Sequence, residues 1–166
     1  MVSEQEMERL MEQYGDAILR MCYIYLKDYQ LAEDAAQETF IKAMRFYDSF
    51  AQQSSEKTWL SKIAINSCKN IMRTRWFKSR PAPLEELRGH AQPDEIHQLL
   101  ERDSVSGAIA RLSTTDKEVI LLYYYQELSV KQIAEILGKN ENTVTQRLHR
   151  ARNRLKCVLA EVDYSE

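Results

Sequence analysis

The placement of proline constrains this chain more than any other feature. All three prolines lie between residues 81 and 93, within an acidic stretch. Proline cannot donate a backbone hydrogen bond and disrupts a helix interior, so no continuous helix is expected there. On both sides, glycine is rare and helix-favouring residues recur, which argues against strands joined by tight turns. We therefore predict an all-α fold, in which two small helical domains, residues 1–78 and 105–166, are joined by a linker at 79–104.

The overall composition is typical of a globular protein with a packed core. Forty-four per cent of the 166 residues are hydrophobic, which argues against an intrinsically disordered chain. The N-terminus lacks the basic start and apolar core of a signal peptide. The longest apolar run, residues 119–125, is far shorter than the roughly 20 residues that span a bilayer. We therefore expect a cytoplasmic protein.

Neither the cysteines nor the histidines are spaced as in a metal site. The three cysteines are far apart and lack CxxC spacing, and the three histidines share no ligand-like spacing with them. These residues are Cys22, Cys68, Cys157, His90, His97 and His149. We expect reduced, buried thiols, no metal and no cofactor. Because the sequence also lacks a paired-carboxylate, Ser/His/Asp or Cys/His constellation, we expect neither an enzyme nor a small-molecule substrate.

Charge is segregated along the chain, although the formal net charge is only −2. Residues 1–40 carry nine acidic and three basic side chains, whereas residues 41–80 carry two acidic and nine basic ones. Two tracts, 61–84 and 142–160, contain no acidic residue. Two basic patches separated by an acidic segment indicate two modules that bind anionic partners such as nucleic acid.

Apolar residues in the first domain recur at steps of three and four, which predicts three amphipathic helices. The second helix is expected at about 31–47, and the third begins near Ser55. The inward face of the second helix is predicted to comprise Ala32, Ala36, Phe40, Ala43, Met44 and Tyr47. Its polar surface carries Asp34, Gln37 and Glu38, about one turn apart, where a polar partner can dock. An ordinary solvated face is the alternative interpretation.

Predicted helix caps mark where the helices of the second domain begin and end. Residues 115–118 and 129–132 each fit a capping box, in which a hydroxyl and a side chain three residues later cap the first turn. Gly138 is expected to end the helix that follows Ser129, since glycine tolerates the left-handed backbone found at such ends. Asn140 is expected to cap the next helix.

The spacing of Ala134, Gly138 and Val144 predicts a helix-turn-helix in the second domain. The buried stripe of its second helix is predicted to comprise Val144, Leu148, Ala151 and Leu155. The opposite face, which can hydrogen-bond base edges and phosphates, comprises Thr145, Gln146, His149, Arg150 and Asn153, with Arg147 and Arg154 beside it. A charged, solvated helix in a bundle is the alternative. The three tyrosines at 123–125 are expected to lie mostly in the core.

Three stretches together resemble the extracytoplasmic-function (ECF) sigma factors, the smallest members of the bacterial sigma-70 family. They are AEDAAQETF at 32–40, SSEKTWLSKIAINSCKNIMR at 54–73 and LSTTDKEVILLYYYQELSVKQIAEILGKNENTVTQRLHRARNRL at 112–155. The resemblance covers both modules of that family, in order, with a proline-bearing linker between them. Two positions depart from many relatives: Ser113 stands in place of a proline and Asn142 in place of a glycine.

The resemblance implies a role for each stretch. It implies that the first domain binds core RNA polymerase through Asp34, Gln37, Glu38 and Phe40. It implies that the −10 promoter element is recognised and melted by Trp59, Lys62, Asn66, Lys69, Asn70 and Arg73. It implies that the second domain reads the −35 element through Asn142, Thr143, Thr145, Gln146, Arg147, His149 and Arg150. It also implies that Tyr123 lies near the DNA backbone.

The implied function is that of a sigma factor, which directs core RNA polymerase to specific promoters and performs no chemistry itself. The implied partners are the β and β′ subunits of the polymerase, promoter DNA, and a regulatory anti-sigma factor of a kind that is often membrane-bound. Two other hypotheses are a freestanding helix-turn-helix regulator that does not bind core polymerase, and an enzyme or metal-dependent sensor. The DxxQE match at 34–38 and the presence of a further basic tract outside the helix-turn-helix, at 61–84, argue against the former. The lack of a catalytic constellation argues against the latter.

Overall fold

The computed structural model describes residues 2–50, 54–78 and 104–164. These residues contain seven α-helices and no strand, which confirms the all-α prediction. The chain divides into two compact units, Met1–Ala91 and Gln92–Glu166. The division falls inside the predicted linker, which lies outside the described residues except for its last position.

In the first unit, the described residues up to 78 form three long helices. They are α1 (Glu4–Leu26), α2 (Tyr29–Phe46) and α3 (Glu56–Lys78), and a single 3₁₀ turn, Tyr47–Ser49, follows α2. The Asp28 carboxylate accepts a hydrogen bond of 3.1 Å from the Leu31 amide. Because Asp28 caps the helix in this way, α2 begins two residues before the predicted Leu31. Ser55 caps α3, near the predicted start, and accepts from the Thr58 amide at 3.1 Å.

Helices α1, α2 and α3 pack on one another around a fully buried core. This core comprises Leu10, Ile18, Met21, Cys22, Ala32, Ala35, Ala43, Leu60, Ala64, Ile65 and Cys68. The inner face of α2 is largely a ridge of alanines, which lets its backbone approach its neighbours closely. The prediction that Met44 points inward is wrong, since Met44 is 49% exposed. Ala36 and Tyr47 are half-buried.

In the second unit, residues 104–164 form four helices. They are α4 (Ser104–Ala110), α5 (Thr114–Ile120), α6 (Val130–Leu137) and α7 (Glu141–Tyr164), and α5 continues into one π-helical turn, Leu121–Tyr125. The predicted capping box at 115–118 is wrong. The cap is Ser113, whose hydroxyl accepts from the Asp116 amide at 3.3 Å, because Ser113 has an extended backbone whereas Thr115 is already helical.

The helix-turn-helix caps are confirmed. Ser129 accepts from the Gln132 amide at 3.1 Å, and the Gln132 side chain accepts from the Ser129 amide at 2.8 Å. Gly138 ends α6 with φ at 64°, in the left-handed region. The Asn140 side chain accepts from the Thr143 amide at 2.8 Å and thereby caps α7. The inward face of α7 is fully or nearly buried at Val144, Leu148 and Ala151, and Leu155 is half-buried.

The cysteines differ from one another in exposure. Cys22 and Cys68 are buried in the first unit, as predicted, whereas Cys157 on α7 is exposed. The prediction of buried thiols is therefore wrong for Cys157, which lies beyond the last fully buried residue of the α7 stripe. Within the described part of the chain, no helix is both long and apolar enough to cross a membrane.

Candidate polymerase and nucleic-acid interfaces

The outer face of α2 carries the residues predicted to bind polymerase. Asp34 and Gln37 are exposed, and the Glu38 side chain is 43% exposed. Glu38 pairs with Lys42, one turn later, at 2.9 Å. Phe40 differs, because only 7% of it is exposed and it forms part of the core of the first unit. The predicted inward position of Phe40 is therefore confirmed, and Phe40 is not part of the exposed outer face; its contribution to polymerase binding stays a prediction.

The same face continues into two exposed apolar side chains, of which the sequence had not indicated Ile41 and had placed Met44 on the inward face. Ile41 and Met44 follow Gln37 at steps of four and three, and they are 50% and 49% exposed. Residues at such steps are neighbours on a helix surface. A polar strip beside exposed aliphatic and thioether side chains is the kind of surface that protein–protein interfaces use. We call residues 34, 37, 38, 41 and 44 the α2 face.

The residues predicted to contact the −10 element share one side of α3. These residues are Trp59, Lys62, Asn66, Lys69, Asn70 and Arg73, and apart from the adjacent pair Lys69 and Asn70 they follow one another at steps of three or four. Lys62, Asn66, Asn70 and Arg73 are exposed, and Lys69 is half-buried. The buried positions Leu60, Ala64 and Cys68 alternate with them. The arrangement leaves amide and cationic groups directed away from the core, where they can meet phosphates and bases.

Trp59 belongs to a small aromatic cluster at the start of α3. Its ring stacks on Phe50 with a centroid separation of 4.5 Å and an interplanar angle of 19°. The Tyr47 ring meets the Trp59 ring edge-on at 6.2 Å. Trp59 is half-buried, so it packs against its neighbours and also remains partly accessible from solvent. We call Tyr47, Phe50 and Trp59 the aromatic cluster.

The residues predicted to read the −35 element lie in the N-terminal half of α7. Asn142, Thr145, Gln146, His149 and Arg150 are exposed, whereas Thr143 and Arg147 are half-buried. The Thr145 hydroxyl donates to the Glu141 carbonyl at 2.9 Å, so the same hydroxyl can still accept a hydrogen bond from DNA but has no second proton to donate. The His149 and Asn153 side chains lie 3.4 Å apart. Five exposed polar side chains on one helical half match the donors and acceptors that major-groove readout requires.

Arg152 is engaged within the second unit. Its Nε donates to the Tyr124 hydroxyl at 2.7 Å, and its guanidinium lies 5.1 Å and 5.6 Å from the centroids of the Tyr123 and Tyr124 rings. The Tyr124 hydrogen bond raises the pKa of the Arg152 guanidinium. Tyr124 is 49% exposed, so the prediction that the tyrosines at 123–125 lie in the core is wrong for it. This cation–π contact ties the π-helical turn to α7.

Arg154 is also engaged within the second unit. Its Nη1 lies 2.6 Å from Oδ2 of Asp116, a carboxylate that is only 5% exposed. Sequence reasoning placed Arg154 beside the DNA-reading face, and it could not detect this pairing because Asp116 lies far away in the chain. Of the described residues, no group of three or more His, Cys, Asp or Glu side chains is arranged to hold a metal ion.

Comparison with known proteins identifies both units. The family described as Sigma-70 region 2 matches residues 10–78, and the family described as Sigma-70, region 4 matches residues 102–155. The RNA polymerase sigma factor YlaC of Bacillus subtilis is 34% identical over 94% of this chain and 93% of its own. The ECF RNA polymerase sigma factor SigW of the same organism is 32% identical over 90% of this chain and 86% of its own. The chain belongs to the ECF sigma factors of the sigma-70 family.

Two solved structures share the fold of this ECF sigma factor. The sigma factor RpoE of Bartonella quintana, in complex with the anti-sigma factor NepR, aligns with a TM-score of 0.71 at 22% identity, over 94% of this chain and 98% of that one. CnrH, in complex with the cytosolic domain of CnrY, aligns with a TM-score of 0.70 at 23% identity, over 96% and 90%. The region 2 match includes the α2 face and all the −10 candidates, and the region 4 match includes all the −35 candidates.

Proposed function

We propose that this ECF sigma factor directs core RNA polymerase to specific promoters and starts transcription there. The polymerase performs the nucleotidyl transfer, and the sigma factor supplies binding and recognition. The observation that carries the proposal is the α2 face, an exposed polar and apolar strip in the same unit as the basic side of α3. One small domain can therefore bind the polymerase and hold promoter DNA at the same time. The protein would act in the cytoplasm, together with the polymerase.

The basic side of α3 is proposed to hold the melted −10 element. Lys62, Lys69 and Arg73 can neutralise phosphates of a single strand, and Asn66 and Asn70 can hydrogen-bond to bases. A single strand exposes base edges and faces that are stacked and paired in the duplex. The aromatic cluster adjoins this basic side, and its rings can support an unstacked base.

The N-terminal half of α7 is proposed to read the −35 duplex. Recognition helices of this kind place their N-terminal residues against base edges in the major groove. Gln146 and Arg150 are the exposed side chains best suited to bidentate contacts with adenine and guanine, respectively. Arg147, at the side of the face, suits a phosphate.

We also propose that an anti-sigma factor controls this protein. RpoE of Bartonella quintana, which shares the fold, binds the anti-sigma factor NepR. In this chain the α2 face would be the surface to occlude, because covering it would prevent polymerase binding. Competition between a co-purified inhibitor and core polymerase would test this. An inhibitor recovered only from the membrane fraction would indicate the membrane-bound form.

Substitution of the α2 face tests the main proposal. Gln37→Ala with Glu38→Ala removes an exposed amide and an exposed ion pair worth only about 0.3–0.5 kcal/mol, so the thermal transition should hardly move. Truncation of an interface hot spot can cost about 2 kcal/mol, which is roughly thirtyfold in affinity. We expect the folded double variant to lose core binding and, with it, promoter-specific transcription in vitro.

A matched control is available on α1. Gln5 and Glu8 are exposed, and their double alanine variant removes the same two side-chain types. This control should bind core polymerase and transcribe like the unmodified protein. If the α2 double variant keeps full affinity for core polymerase, the α2 face is an ordinary solvated surface and the proposal for the first unit is wrong.

The second candidate function is a freestanding helix-turn-helix regulator, which the α7 face alone would support. Size-exclusion chromatography with purified core polymerase separates the two functions. A sigma factor co-elutes with the core enzyme, whereas a freestanding regulator elutes alone and binds duplex DNA without it.

A further inference from the structure

A network of polar side chains joins α1 to both ends of the connection between α2 and α3. Arg9 on α1 donates from Nε to the Glu6 carboxylate at 3.1 Å and from Nη2 to Glu56, the first residue of α3. The hydroxyl of Tyr47, which directly follows α2, donates to the same Glu6 carboxylate at 3.1 Å. We call Glu6, Arg9, Tyr47 and Glu56 the α1 brace.

The contacts of the α1 brace are long-range in sequence, so they fix positions that local structure leaves open. Tyr47 and Glu56 lie 41 and 47 residues from their α1 partners. The brace holds these two residues through one turn of a single helix, and it therefore sets the distance between the end of α2 and the start of α3. Tyr14, one turn further along α1, adds a hydrogen bond of 3.5 Å to Glu56.

Arginine is the side chain that this arrangement requires. The Arg9 guanidinium serves three acceptors at once, because Nη1 also donates to Gln13 at 2.9 Å. A planar fork with five donors can do this, whereas a lysine ammonium is a single point of charge. The hydrogen bond from Arg9 lowers the pKa of Glu6, against an opposing effect of burial, and the hydrogen bond from Tyr47 lowers it further.

The α1 brace supports the aromatic cluster from one side. Tyr47 belongs to both groups, since its hydroxyl enters the brace while its ring packs edge-on against Trp59. Glu56 and Trp59 lie three residues apart on the first turn of α3. A change in the position of Tyr47 or Glu56 would therefore change the position of the Trp59 ring, which lies next to the basic side of α3.

We propose that the α1 brace is a positioning network for recognition of the −10 strand, in which α1 holds the aromatic cluster at the place where an unstacked base is discriminated. The inference rests on the proposed function and deepens it. Neither Glu6 nor Arg9 contacts DNA in this proposal. They fix the placement of Trp59, so that a correct base fits against the cluster better than an incorrect one.

Holoenzyme assembled from core polymerase and the full-length protein provides the test. The probe is fork-junction DNA whose single-stranded −10 region is randomised, and the bound fraction is sequenced to give a base preference at each position. The variants are Arg9→Ala, which breaks the brace, and Tyr47→Phe, which keeps the ring and removes the hydroxyl. Arg20→Ala, at an exposed arginine of the same helix, is the matched control.

We expect both brace variants to weaken the strongest base preference roughly fivefold, the equivalent of one lost hydrogen bond, and the control to keep it. Affinity for core polymerase should not change. A purely stabilising role would lower the melting temperature and leave the preference intact, and that result would overturn the proposal. So would an equal loss of preference in the Arg20→Ala control.

NMR titration of Glu6 reports whether the brace forms in solution. Its pKa should lie below the ordinary value in the unmodified protein and rise in Arg9→Ala. An ordinary pKa in the unmodified protein would also overturn the proposal. Failure of the proposed function is recognised separately, because unmodified holoenzyme would then show no base preference at all.

Discussion

Replacing Arg154 with alanine should destabilise the second unit without impairing DNA recognition. Although Arg154 lies in the basic tract of α7, its guanidinium pairs with Asp116 at 2.6 Å. The Asp116 side chain is 5% exposed and the Arg154 side chain is 60% exposed. The pair therefore has one buried and one solvated member, and removal of the cation leaves a carboxylate that water reaches poorly.

The magnitude lies between those of surface and buried ion pairs. Breaking a fully buried pair costs about 3–5 kcal/mol, whereas exposed pairs contribute about 0–1 kcal/mol. After truncation of Arg154, water can enter from the exposed side, and Asp116 keeps the favourable helix dipole of the first turn of α5, which contributes about 0.3–1 kcal/mol. We expect a loss of about 1–2 kcal/mol in the free energy of unfolding.

Urea denaturation with hydrogen exchange at α5 and α7 amides measures this loss and locates it in the second unit. Lys156→Ala, at an exposed cation of the same helix, should change the stability by less than about 0.5 kcal/mol. Below the unfolding transition, Arg154→Ala should bind −35 duplex with an unchanged salt dependence. The reasoning would be refuted if the stability were unchanged and the affinity for DNA depended less steeply on salt concentration, because Arg154 would then be a phosphate contact.

The remaining predictions concern four positions. Arg150→Ala should lose about 1–3 kcal/mol of discrimination between cognate and mutated −35 sites in competition assays, and a uniform loss on all sequences would contradict a reading role. Gly15→Ala should stabilise α1 by about 0.5–1 kcal/mol in urea denaturation, since an added Cβ meets nothing within 4 Å. Gly138→Ala should instead cost about 1 kcal/mol, because φ is +64° there. In native protein, Cys157 should react rapidly with a thiol reagent that leaves Cys22 unmodified, and equal rates would contradict the exposures in the fold.

The features that the sequence predicted well depend on short-range chemistry. Ser129 with Gln132, Gly138 and Asn140 act within one helical turn of their own positions, so their residue types almost determine their roles. Ser113 was missed because Thr115 offers the same hydroxyl and the same spacing to an acidic residue. Only the backbone conformation distinguishes the two, and it depends on where α4 ends.

The orientation of α2 could be predicted only in part. Its core is a ridge of alanines, which gives a weak apolar signal, and Met44 can extend the apparent stripe to either side. The structure places Met44 and Ile41 outside, next to Gln37. A sequence pattern ranks residues by hydrophobicity, and it cannot tell which apolar residues are buried and which remain exposed.

The five cations of α7 show why composition alone overestimates a nucleic-acid interface. Arg152 and Arg154 pair with side chains 28 and 38 residues away, which no local pattern can reveal. Both lie in the second half of the tract, where they tie α7 to the π-helical turn and to the start of α5. Arg147 and Arg150 lie in the first half, where a recognition helix meets base edges. The same run of positive charge therefore divides into two parts: its C-terminal half ties α7 to the rest of the unit, and its N-terminal half is the part that we propose reads DNA.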